Sequence, residues 1–420
     1  MSDSSVSDSN IMRKSDRRKL SLSLYLNYFV HGIGLIILAQ NMQALGHFWN
    51  VPIATVSYVI SGIGIGKLIA YLLFGYLSDR FGRKMLVYSG VLSYMIFFIG
   101  IPFTHNIALS YVLAIIAGIA NSALDSGTYP TFVEMGGNNS ASNVFIKAFM
   151  SLGEFILPLV VAMIEVRHLW FGISFVAPVA VLLINLVILH SVSFPDRKKA
   201  DAQLEVKTEE ISQIRKGIST VALALYGYTT MAIMILFTQW ITMFAQKDLG
   251  FGLITAHALL SLYSIGSISG VIITFILLKL NVPENTLLIV SNLISLVAIF
   301  VITIATTPLV SMTAAFVFGF TAAGGVLQVA LNLLLKLFPE HKGFVTGVYM
   351  TFGSIATFTI PLITGLLSKT SIHAIMNFDV MIGVVGTVLV IASAMAMNTN
   401  GALIHISGRL LHINTNTTNE

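Results

Sequence analysis

The chain has 420 residues and a formal net charge of +5, with 56% hydrophobic and only 10% charged residues. A water-soluble chain carries roughly a quarter charged residues, so the soluble globular class is excluded. The positive balance does not point to nucleic acid, because the cations gather between long apolar runs, and without a single cysteine there is no disulfide framework, thiolate chemistry or cysteine metal site.

Residues 1–19 are polar and then basic, with Arg13, Lys14, Arg17, Arg18 and Lys19 close together. They do not have the apolar centre of a cleaved signal peptide, so the first apolar run is expected to direct insertion, leaving 1–19 as a cytoplasmic tail. Apolar segments follow at about 20–45, 53–78, 85–104, 107–134, 143–164 and 168–193. A hydrophilic stretch at 194–217 interrupts them, and a second set follows at about 218–246, 253–280, 285–305, 308–337, 343–368 and 372–398. Each can hold the ~20 helical residues that cross a hydrocarbon core. The expected fold is an all-α membrane protein of twelve transmembrane helices in two six-helix halves, 20–193 and 218–398. A cytoplasmic linker spans 194–217 and a cytoplasmic tail 399–420. With the N-terminus inside, the outer loops hold only Arg167, Lys247 and Lys369, and nearly every other cation falls inside, which places both termini in the cytoplasm.

The halves resemble each other at offsets near two hundred residues, as a parallel repeat does. Leu24-Tyr25 recurs as Leu225-Tyr226, Gly62-x-x-x-Gly66 as Gly266-x-x-x-Gly270, and Ser151-Leu-Gly153 with Pro158 as Thr351-Phe-Gly353 with Pro361. Gly62-Ile-Gly64-Ile-Gly66-Lys67 does not have the spacing of a phosphate loop and reads as a glycine face for close helix packing.

Between the second and third spans lies Gly75-Tyr-Leu-Ser-Asp79-Arg80-Phe-Gly82-Arg83-Lys84. Gly75 lets a helix end approach its neighbour, Gly82 permits a turn, and Arg80, Arg83 and Lys84 hold the connection on the cytoplasmic side. Asp79, an anion among cations, suits the N-terminus of another helix. This stretch resembles the G-x-x-x-D-R-x-G-R-[RK] loop between helices 2 and 3 of the major facilitator superfamily. The resemblance extends over residues 20–400. Within the superfamily it is nearest to a branch of poorly characterised bacterial inner-membrane permeases, on Tyr58-Val-Ile-Ser-Gly-Ile-Gly-Ile-Gly-Lys67, Gly118-Ile-Ala-Asn-Ser-Ala-Leu-Asp-Ser-Gly-Thr-Tyr-Pro130 and Gly319-Phe-Thr-Ala-Ala-Gly-Gly-Val-Leu-Gln328. It implies an alternating-access transporter with a cavity between the halves, in a bacterial inner membrane, and a substrate of the shikimate or quinate kind. The fifth span reads Gly153-Glu-Phe-Ile-Leu-Pro158, without the Gly-Pro pair of proton-antiporting drug exporters in this superfamily, which counts against drug efflux.

Ionisable residues at membrane depth are expensive and face a cavity or a partner. Three are read here, all in the first half: Lys67, Asp125 and Glu154. Asn121, Asp125 and Tyr129 share one face of the fourth span, and Lys147, Ser151 and Glu154 one face of the fifth. Lys67, taken as the one cation within a span, is expected to anchor an anionic substrate and to pair with Asp125 or Glu154 when empty. Glu154 and Asp125 are the expected proton carriers. His31, Gln40 and Asn41 in the first span, Gln239 and Trp240 in the seventh, and Gln328 and Asn332 in the tenth are expected to line the cavity. Each of these could equally be a helix-to-helix hydrogen bond. Other aromatic residues are read as packing or interfacial anchors. Asp79 is expected at the start of the eleventh helix near Lys342, and Arg80 or Arg83 against Glu134, as a cytoplasmic latch.

No His-Glu-x-x-His, Gly-x-Ser-x-Gly or metal-ligand cluster is present in the sequence, so neither an enzyme nor a metal or cofactor is expected. The partners expected are a small-molecule substrate, protons and the lipid bilayer, with the protein a monomer that binds no nucleic acid. The leading reading is proton-coupled symport of an organic anion. A proton-coupled exporter of drugs or sugars and a non-transporting solute receptor are the alternatives.

Overall fold

Long apolar segments in lipid must satisfy every backbone group internally, which leaves helices as the available form. The computed structural model describes residues 14–135, 139–194, 212–338 and 342–397. In chain order the helices are α1 (Lys14–Gln40), α2 (Met42–Trp49), α3 (Ile53–Phe81), α4 (Arg83–Gly100) with a 3₁₀ turn at Ile101–Phe103, α5 (Ile107–Glu134), α6 (Asn139–Val166) and α7 (Ile173–His190). The second half has α8 (Gln213–Lys247), α9 (Leu253–Lys279), α10 (Glu284–Ile304), α11 (Pro308–Ala322), α12 (Val326–Leu337), α13 (Lys342–Leu367) and α14 (Ile372–Met397). Among the described residues, twelve stretches are long and apolar enough to cross a membrane, six in each half.

The helices depart from the expected spans where a local group interrupts the ladder. The first span breaks at Asn41, whose side-chain Nδ2 donates to the Ile37 carbonyl at 2.9 Å, and α2 continues beyond it. The tenth span divides into α11 and α12 at Ala323-Gly324-Gly325, where Gly325 adopts φ +99°, a conformation that costs a glycine little. The expected connection at 75–84 is helical up to Phe81. Only Gly82, with φ +85°, separates α3 from α4. Helix also extends into the expected tail, from Lys14, and into the expected linker, from Gln213.

Glycines set the closest packing. A Cβ on Gly66 would meet the Ile115 carbonyl oxygen at 2.1 Å, and one on Gly118 would meet the Ile63 carbonyl at 2.1 Å, so α3 and α5 pack backbone to backbone. The second half repeats this: Gly266 and Gly270 of α9 meet the Phe316 and Phe320 carbonyls of α11 at 2.1 Å. The halves meet through α3 on α13 and α6 on α9.

Two ends of the bundle are named here by a residue. The Asn50 end carries the α2–α3, α6–α7, α8–α9 and α13–α14 connections, and the Gly82 end carries α3–α4 and α9–α10. Among the described residues, hydrogen bonds between the halves gather toward the Asn50 end. Gln43 Nε2 donates to Gln246 Oε1 at 2.7 Å, Gln239 Nε2 to Ser57 Oγ at 2.6 Å, and Ser57 Oγ to the Pro361 carbonyl at 2.6 Å. His257 stands between Gln40 Oε1 at 3.0 Å and Glu165 Oε2 at 3.2 Å. A Cβ on Gly64 would strike the Phe358 backbone of α13 at 2.2 Å, whereas one on Gly347, three turns further toward the Gly82 end, would meet nothing within 4 Å. Together these describe halves joined near Asn50.

Candidate functional site

The polar groups of the first half converge on Asp125, nine residues before the end of α5. The Tyr28 hydroxyl of α1 donates to Asp125 Oδ1 at 2.5 Å, and the Tyr71 hydroxyl of α3 donates to Oδ2 at 2.6 Å. Tyr28 packs edge-on against Tyr129, with centroids 5.9 Å apart, and beside His31 at 5.2 Å. His31 Nδ1 lies 3.2 Å from the Tyr94 hydroxyl. Asn121 is buried one turn before Asp125 on the same face of α5. Four helices therefore supply one polar cluster, and the glycine contacts of Gly66 and Gly118 hold two of them, α3 and α5, close enough to do so.

Lys67 sits at the centre of α3, fourteen residues from either end, or about 21 Å at ~1.5 Å per residue. It is only 7% exposed and lies within electrostatic reach of Asp125. The expected direct pair is not formed: neither Asp125 nor Glu154 is among the carboxylates in an ion pair of 4.0 Å or less in the described residues. At Asp125 each oxygen instead accepts from a tyrosine hydroxyl. Glu154 is buried on α6, with Lys147 and Ser151 of the same helix as its polar neighbours. Lys147 itself falls in the membrane-length stretch Phe145–Val166, so Lys67 is not the one cation within a span.

The remaining expected ligands divide. Gln328 and Asn332 lie exposed, one turn apart, on α12, with Lys336 a further turn on, and a polar stripe of this kind suits water rather than lipid. Gln40, Asn41 and Gln239 are instead packed away at the Asn50 end. Gln40 accepts from His257 and from Thr242 at 3.3 Å, Asn41 accepts from Ser174 at 3.2 Å, and Gln239 holds Ser57. They are helix-to-helix bonds, not cavity lining, because the halves close on each other at this level. Trp240 is wholly buried and its indole N–H has no partner among the described residues. In the 75–84 stretch, Arg83 is half-buried, and Lys84 is exposed with its ammonium 5.7 Å from the Tyr88 ring. The side chains of Asp79, Arg80, Glu134 and Lys342, with Gly75, lie outside the described residues.

Several site residues were not anticipated. Tyr28 and Tyr71 were grouped with packing aromatics, although Tyr28 and His31 fall on one face of α1. His257 and Glu165 stand within one turn of helix ends, where charged groups attract little notice. Asp379 is a further intramembrane acid and lies in the second half, within the stretch Ile372–Met397, so ionisable residues at depth are not confined to the first half. A lone acid in that apolar run was itself a signal.

Comparison with known proteins decides the family. The pattern described as Major Facilitator Superfamily matches residues 24–361. The chain belongs to the major facilitator superfamily. It is 42% identical to the inner membrane transport protein YdiM of Escherichia coli (strain K12), over 88% of this chain and 92% of that one. It is 37% identical to the uncharacterized MFS-type transporter YfkL of Bacillus subtilis (strain 168), over 88% and 94%. Among solved structures, a D-xylose-proton symporter superposes with a TM-score of 0.74 at 16% identity, covering 91% of this chain and 97% of that one. A bacterial homologue of the lysosomal transporter Spinster, in an inward-facing and occupied conformation, gives 0.73 at 11% identity, covering 92% and 98%. At those identities the superpositions speak to the fold alone. The protein is a multi-pass membrane transporter of a small solute.

Proposed function

We propose that this transporter carries a small organic anion together with protons, by alternating access. In this reading both termini are cytoplasmic, the Asn50 end faces outward and the Gly82 end faces the cytoplasm of a bacterial cell. The arrangement described is then closed outward. The observation that carries the substrate class is Lys67. A cation buried at the centre of a span, with no carboxylate in ion-pair range, has a site for an anion in front of it. A carboxylate substrate supplies the missing charge. Asp125, held by two hydroxyls beside Lys67, and Glu154, beside Lys147, are the groups proposed to take up and release protons as access changes. The substrate is proposed to be a small polyhydroxylated carboxylic acid of the shikimate or quinate kind, whose hydroxyls would find Tyr129, Gln328 and Asn332.

The test is binding of a panel of such acids to purified wild type, Lys67→Met and Lys67→Arg by thermal shift and calorimetry. The account expects at least one acid to bind wild type, binding to fall at least tenfold in Lys67→Met, and Lys67→Arg to keep part of it. A folded Lys67→Met protein that binds the same acid as wild type does would exclude the anchor.

A further inference from the structure

The second half contains a buried polar group that no part of this reading uses. Asp379, seven residues into α14, has 0% exposure, and neither carboxylate oxygen has a hydrogen-bond partner among the described residues. Its helix packs on α8 and α10. Two contacts fix the register of the antiparallel α8–α14 pair. His373 bonds Asp248 at 2.7 Å and its ring lies 5.8 Å from Phe244, while Gly386 packs on Thr229. Interpolation puts Asp379 level with residues 236–240 of α8. That layer holds Trp240, 0% exposed, whose indole N–H also has no partner, and Gln239, whose Oε1 has none.

An unpaired acceptor and an unpaired donor thus lie in one buried layer without bonding each other. A carboxylate left there without a partner would be a bare buried charge, which proteins avoid by pairing it or by adding a proton. We propose that Asp379 is a proton-binding site of the C-terminal half, and that the Trp240 indole N–H is the donor that takes its carboxylate once the proton has gone. Deprotonation breaks one O–H bond: the electron pair stays on the carboxylate and the proton passes to water. A small side-chain rotation then brings an indole hydrogen bond in place of the lost proton.

The other titratable groups around the layer are few. From α9, Tyr263 lies within electrostatic reach of Asp379 and also of Glu154 on α6. From α8 there are Tyr228, bonded to Thr359, and Tyr226, bonded to Asn292, toward one end, and Lys247 with Asp248, the latter bonded to His373 of α14, toward the other. From α10 there is only Glu284 at its far end, paired with Lys336 at 2.7 Å. From α13 there are Tyr349, whose hydroxyl donates to the Leu327 carbonyl, and Lys342 and Lys369 at its two ends. The role in transport rests on the proton-coupled reading above, but the protonation itself is measurable with protons as the only ligand, so each can fail without the other.

Trp240 is the one tryptophan of the second half, since Trp49 and Trp170 lie in the first. In a Trp49→Phe, Trp170→Phe protein, emission therefore reports on this layer. The expected result is a reversible change in Trp240 emission with pH that Asp379→Asn removes and Glu154→Gln leaves in place. Should Asp379→Asn not fold, infrared spectroscopy of otherwise native protein labelled with carboxyl-labelled aspartate replaces it. There a deuterium-sensitive protonated-acid band must shift with the label and persist in Asp125→Asn. Emission that ignores pH, or that titrates unchanged in Asp379→Asn, or no protonated aspartic acid band in the labelled Asp125→Asn protein, overturns the proposal.

Discussion

At Asp125 two hydroxyls do what a cation was expected to do. Each hydrogen bond to a carboxylate contributes about 1.5–3 kcal/mol in a protein interior, so Tyr28 and Tyr71 together can hold the acid without Lys67. That leaves the lysine available to a ligand. The prediction is that Tyr28→Phe and Tyr71→Phe each lower thermal stability in the wild-type background and do so far less in Asp125→Asn. A double-mutant cycle read by thermal unfolding measures this. Equal losses in both backgrounds would mean the hydroxyls act elsewhere. The acids and Lys67 were legible in the sequence because charge in an apolar run is conspicuous. The tyrosines were not, because an aromatic residue in a span has many ordinary uses and its partner lies 54 or 97 residues away.

Helices and their glycines form the next scale. The spans were readable from hydropathy, and Gly62-x-x-x-Gly66 with its copy at Gly266-x-x-x-Gly270 announced the close pairs α3–α5 and α9–α11. The breaks at Asn41 and Gly325 were not readable, since one side-chain bond or one positive φ interrupts a run without changing its hydropathy. Gly66→Ala places a methyl 2.1 Å from a carbonyl oxygen on a backbone that cannot yield, whereas Gly347→Ala meets nothing within 4 Å. Gly66→Ala should therefore cut the yield of folded protein severely, and Gly347→Ala should leave it near wild type. Size-exclusion profiles and melting temperatures of the two variants check this, and a normal Gly66→Ala protein would count against the packing described. His257 belongs to this scale too. It joins α9 to both α1 and α6 across the halves, and replacing it by alanine should loosen the Asn50 end and raise labelling of a cysteine placed at Gln239.

For the whole molecule, the absence of native cysteine makes the two-sided account directly testable. Cysteines at Gln43 and Gln246, whose side chains now bond across the halves, should be joined by a short thiol crosslinker, and the joined protein should bind solute from the Gly82 side but no longer translocate it. Unimpaired translocation by crosslinked protein would remove the claim that this end must open. The twelve helices followed from the hydropathy of the chain, and the family from the resemblance carried by the 75–84 stretch. Which residues join the halves did not, because those bonds link positions 92 to 304 residues apart that no local pattern relates.

The central claim, that a carboxylate bound at Lys67 moves together with protons, is tested most directly in proteoliposomes that enclose a pH-sensitive dye. Small polyhydroxylated carboxylic acids are added outside one at a time, and the internal pH is followed alongside uptake of the labelled acid. The account predicts that an acid taken up by wild type acidifies the interior, that a protonophore abolishes its accumulation, and that Lys67→Met shows neither uptake nor acidification. Uptake of the acid by wild type with no proton movement and no response to the protonophore would contradict it.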